Sequence, residues 1–99
     1  MRLSEESQEI IRETVEEIFG HQAKVMVFGS RLDDTKRGGD IDLLIQVDET
    51  SPEDRRKSLN LAARLQLRLG DQPIDVLLMS PETIRTPILV EALRTGVQL

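Results

Sequence analysis

Three short apolar runs constrain this chain more than anything else in it: Ala23–Phe28, Ile41–Val47 and Ile74–Met79. Each has strand length, is rich in Val, Ile, Leu or Met, and stops at Gly29, Asp48 or Ser80. Runs of this kind read as short buried β-strands. The stretches around them carry a helical period instead. Residues 4–19 place Ile11, Val15 and Ile18 on one stripe, with Leu3, Ser7, Ile10 and Thr14 beside it and Gly20 at the stop. Between the second and third runs, Ser51 is the expected N-cap, Pro52 takes the first helical position and Asp54 completes a capping-box-like pair. Leu59, Ala62, Leu65 and Leu69 form that helix's expected inner stripe, and Gly70 closes it. After the third run, Ser80-Pro81-Glu82 opens a helical turn, Thr86-Pro87 restarts it and Gly96 ends it. The order α-β-loop-β-α-β-α, with no repeat or linker, predicts a single α/β domain over residues 1–99.

Composition removes several chemistries from consideration. With no cysteine and one histidine, His21, the 99 residues offer no disulfide scaffold, no thiolate nucleophile and no multi-histidine site. The longest uninterrupted apolar runs have four residues, against the ~20 that cross a bilayer. The sequence turns acidic at Glu5 and Glu6, unlike a signal peptide, so the expected compartment is the cytoplasm. Eighteen acids against thirteen Lys and Arg give a net charge of −5. Residues 4–19 hold six Glu and one Arg, which is −5 by themselves, so the remainder balances at twelve against twelve. A chain with no basic face and two aromatic residues is poorly equipped to grip nucleic acid alone.

The chemistry-bearing residues sit at the ends of the strands. The first strand runs into Gly29-Ser30, and the second opens with Asp40-Ile41-Asp42. Side chains alternate along a strand, so Asp40 and Asp42 project from one face with Cα atoms roughly 6–7 Å apart. Like charges so placed repel unless cations lie between them, and a pair of Mg²⁺ ions suits that spacing. Gly29 lets backbone approach an anion closely, while the following N–H groups and the Ser30 hydroxyl offer donors to phosphate. Arg31, Lys36 and Arg37 are the nearest cations. Asp75 lies inside the third run, where an unpaired acid is costly. If that strand lies beside the second, three carboxylates converge, and the third can accept a proton from an attacking hydroxyl. Taken singly, each feature has a plainer reading: a capped turn, a strand edge, a salt-bridge acid. Their combination in this order favours metal-assisted phosphoryl chemistry.

The ordered set Val27-Phe28-Gly29-Ser30, nine residues, Asp40-Ile41-Asp42-Leu43 resembles the motif of the DNA polymerase β-like nucleotidyltransferase superfamily. Within it the chain is similar to the minimal nucleotidyltransferases, antitoxins encoded beside HEPN-domain toxins. The resemblance implies an α/β (α+β) fold with a small mixed β-sheet and helices packed on one side. It implies ATP as donor, two Mg²⁺ ions, and AMP transfer to a tyrosine hydroxyl of a HEPN-type partner in a hetero-oligomer. Gly29, Ser30 and Arg31 would bind the nucleotide. Asp40 and Asp42 would hold both metals, and Asp75 would complete one metal site and act as base. The chain contains no tyrosine, so a modified tyrosine must belong to another protein. It also has no Tyr or Trp to stack on a base, and Phe28 is expected in the core. A partner or second copy should therefore complete the acceptor site. Two rival functions remain open. The acidic helix could dock a basic partner and neutralise it by occlusion, or the chain could add nucleotides to an RNA 3′ end beside a partner that supplies basic surface.

Overall fold

Strand-length apolar runs satisfy their backbone groups by pairing. In the computed structural model, which describes residues 3–29 and 40–99, they do so in one mixed sheet. The elements in chain order are α1 (Glu5–Phe19), β1 (Lys24–Phe28), β2 (Ile41–Gln46), α2 (Asp54–Leu69), β3 (Ile74–Met79), α3 (Pro87–Thr95) and β4 (Val97–Gln98). The strand order is β3-β2-β1-β4. β1 and β2 are antiparallel, with Lys24 opposite Gln46 and Phe28 opposite Asp42. β2 and β3 are parallel, with Asp42 opposite Asp75, and the α2 crossover makes that direction possible. β4 pairs antiparallel with β1 through Val97 and Val27. This last strand lies outside the three expected runs because two residues give no alternation to read.

The helices begin and end on recognisable chemistry. Ser4 caps α1, its side chain accepting from the Ser7 N–H at 3.0 Å. In the turn before α2 the Asp54 carboxylate accepts from the Ser51 N–H at 2.7 Å as expected. The helix starts only at Asp54 with Glu53 at its N-cap, however, so Ser51 and Pro52 lie in the preceding turn and not at the expected N-cap and first helical position. The inner stripe of α2 differs from the expected one. Leu61 and Leu65 are fully buried, whereas Leu59 is 63% exposed. Leucines at 59, 61, 65, 67 and 69 allow two stripes, and the pair four residues apart wins the sheet-facing side. The segment from Ser80 to Thr86 is a turn, and α3 starts at Pro87.

Two unequal layers cover the sheet. Val25 and Val27 of β1 and Ile41, Leu43 and Ile45 of β2 pack with Ile11, Val15, Leu61 and Leu65 of α1 and α2. The alternate residues, Met26, Phe28 and Leu44, pack with Met79 and with Leu89 and Ala92 of α3. The expected one-sided helix layer therefore describes the two long helices, while α3 takes the opposite face. α1 and α2 are tied at their C-terminal ends. Arg68 donates to both carboxylate oxygens of Glu17 (2.9 and 3.1 Å) and to the buried Thr14 hydroxyl (2.8 Å). Among the described residues no helix is long and apolar enough to cross a membrane.

Candidate active site

The carboxylates emerge on the thinly covered face, at the end of the ladder where β1 stops and β2 begins. Parity places them there. Ile41, Leu43 and Ile45 face the α1–α2 layer, so Asp42 shares the other face with Leu44, and Asp75 shares it with Leu77 and Met79. The parallel register puts Asp75 directly beside Asp42. Asp40 precedes β2 in an exposed position. The sheet thus brings together the two acids that lie thirty-three residues apart in the chain. Asp75 itself is exposed, because β3 is an edge strand. Its expected burial is corrected accordingly: a run of Ile, Val, Leu and Met does not reveal which strand ends the sheet.

Asp42 carries the electrostatic tension of the site. Burial first, then the charges of Asp75 and Asp40 and a hydrogen-bonding contact with Asp75, push its carboxyl above the usual range. Gly29 closes in from the other side with φ at +80°, a region that favours glycine. A Cβ at Gly29 would overlap the Asp42 carboxylate. The glycine therefore admits backbone to within contact distance of the acid as well as making the turn. Ser30 and Arg31, the other expected nucleotide-binding residues, lie outside the described residues, as do Lys36 and Arg37. His21 is exposed in the turn between α1 and β1, at the end of β1 away from Gly29.

The donor set fits a hard divalent cation in an open arrangement. Among the described residues no group of three acidic, His or Cys side chains forms a metal-holding cluster. The Asp42–Asp75 pair, with Asp40 acting on Asp42 through its charge, offers oxygen ligands only. Mg²⁺ is commonly held by one or two carboxylates together with substrate phosphates and waters, without an all-protein cage. A carboxylate held under strain by its acidic neighbours, as Asp42 is, gains by sharing a cation with them.

Comparison with known proteins bears on the family and the fold. The profile of the family described as "Polymerase beta, Nucleotidyltransferase" matches residues 11–99. A chain from a crystal structure of a toxin-antitoxin MntA-HpeT mutant superposes with a TM-score of 0.69 at 21% identity, covering 97% of this chain and 71% of that one. At that identity the likeness concerns the fold. No curated protein matches the chain significantly.

Proposed function

The chain belongs to the polymerase beta nucleotidyltransferase family, and on that premise we propose that it transfers AMP from ATP to a hydroxyl, a tyrosine's, on a partner protein. In this reading it is a minimal nucleotidyltransferase acting as antitoxin to a HEPN-type toxin. One observation carries the catalytic part: Asp42 and Asp75 are register partners on adjacent strands, with Gly29 pressed against the Asp42 carboxylate. The resemblance in fold to a chain of a toxin-antitoxin structure supports the biological role.

The chain's own groups divide the work. Asp40, Asp42 and Asp75 would hold the two Mg²⁺ ions. Bound there, the ions would supply positive charge against the triphosphate and acidify the attacking hydroxyl. Gly29, with Ser30 and Arg31 after it, would hold the phosphates through backbone N–H groups, a hydroxyl and a guanidinium. The acceptor oxygen forms a bond to the α-phosphorus, the bond from that phosphorus to its bridging oxygen breaks, and pyrophosphate leaves with the electron pair. Asp75, exposed on the edge strand, is open to an incoming acceptor and would take its proton.

The test is label transfer from α-labelled ATP to the co-purified partner, in Mg²⁺ and in EDTA. Asp42→Asn and Asp75→Asn should each lower transfer at least about a hundredfold, the usual scale for removing a charged catalytic group. Undiminished transfer by the double variant would overturn the assignment. A second reading is favoured by the outer face of α1, where Glu5, Glu6, Glu9, Glu13 and Glu16 are all exposed: neutralisation by docking on a basic partner, with the carboxylates dispensable.

A further inference from the structure

At the far end of the same sheet face, four residues along β2 from Asp42 and therefore roughly 13 Å away at ~3.3 Å per residue, lies a cleft of about 420 Å³. It opens where β1 begins and where β2 and β3 end, and α3 closes one side through Leu93. That volume falls within the ~300–1,000 Å³ of small-molecule sites. We propose that this cleft binds a small amphiphilic anion, an organic phosphate of mononucleotide size, independently of the carboxylate site.

Charge and lining together suit the cleft to an anion with an apolar body. Arg12, Arg56, Arg64, Arg68 and Arg94 each face a glutamate. Lys24, Arg55, Lys57 and Arg85 make no ion pair among the described residues, and of these Lys24 and Arg85 line this cleft. The lining contains one acid, Asp48, so the local balance is positive in a chain of net charge −5. Two unpaired cations on one cleft draw an anionic head. Val47, Met79 and Leu93 offer an apolar wall for the ligand's body, and the Gln22 amide can bond a polar edge. The wall is held in advance of binding. The Ser80 N–H donates to the Thr83 hydroxyl at 2.9 Å and the Ser80 hydroxyl accepts from the Glu82 N–H at 3.3 Å, fixing the turn that leads to Arg85. Sequence reading misses this site because Lys24 and Arg85 are sixty-one residues apart and sit in no motif.

Amide NMR in EDTA, where metal-dependent binding at the carboxylates is suppressed, tests the proposal with three probes: AMP, adenosine and inorganic phosphate. AMP should shift Lys24, Gln46, Met79 and Ser80 saturably and leave Gly29 and Asp42 still. Adenosine or phosphate alone should bind at least tenfold more weakly. Arg85→Ala, an exposed turn position, should weaken AMP at least fivefold, and Lys24→Glu combined with Arg85→Glu should abolish the shifts. Shifts confined to Gly29 and Asp42, AMP binding unchanged in Arg85→Ala, or phosphate binding as tightly as AMP would each overturn it. None of these results depends on transferase activity.

Discussion

Gly29 and Asp42 are a matched pair, and each predicts the behaviour of the other. Alanine at Gly29 incurs about 1–2 kcal/mol for the left-handed backbone and also forces the Asp42 carboxylate to move. Gly29→Ala should therefore lower the melting temperature and impair transfer together, while a substitution at the exposed His21 should do neither. Asp42→Asn separates the two properties. The folded state raises the Asp42 pKa, so at neutral pH the ionised carboxylate works against folding, and the penalty fades as pH falls through the raised value. Removing that charge should raise the melting temperature of the metal-free protein while abolishing transfer. Mg²⁺ alone should stabilise the natural protein and leave Asp42→Asn little changed, as read by thermal shift with and without EDTA.

Secondary-structure elements show which parts of the fold are legible in sequence and which depend on topology. The three long strands and the hydrogen bond between Ser51 and Asp54 follow from local residue pattern, so they are readable one segment at a time, whereas the first turn of α2 begins two residues later than that pattern suggests. The α2 stripe is ambiguous because leucine occupies too many positions; Leu65→Ala should cost about 2–5 kcal/mol, and Leu59→Ala within about 0.5 kcal/mol of nothing. Of the expected site, the spacing of Asp40 and Asp42 is local, whereas the pairing of Asp75 with Asp42 depends on which strand β3 joins. Its exposure depends on β3 being last, which no residue in the run encodes. The contact between α1 and α2 has its own pH signature. Arg68, chiefly by hydrogen bonding, holds the Glu17 carboxyl below its ordinary range. Its contribution is thus present above the ordinary glutamate value of ~4.3 and lost as pH falls through the lowered one. Melting curves of the natural protein and Glu17→Gln should differ at neutral pH and converge in strong acid.

At the scale of the whole molecule, the proposed antitoxin role divides into two routes, neutralisation by chemistry and neutralisation by contact. The two candidate surfaces are far apart in kind: carboxylates at the end of the sheet, and glutamates on the outer face of α1. Co-expression with the partner separates them. Catalytic neutralisation predicts that Asp40→Ala with Asp42→Ala leaves cells unprotected while charge reversal at Glu5 and Glu9 is tolerated; occlusion predicts the opposite pattern in the same survival assay.

The alternation along β2 has a consequence for how such a chain can change. Its odd-numbered residues fill the core and Asp42 stands between them, so a single-residue insertion within the strand would turn the acid inward and the isoleucines out. An insertion between Ser30 and Gly39 falls outside the ladder that runs from Phe28–Asp42 to Lys24–Gln46, and leaves its register unchanged. Lineages descended from such a domain can therefore redraw the stretch of chain between β1 and β2 while the acids stay in place.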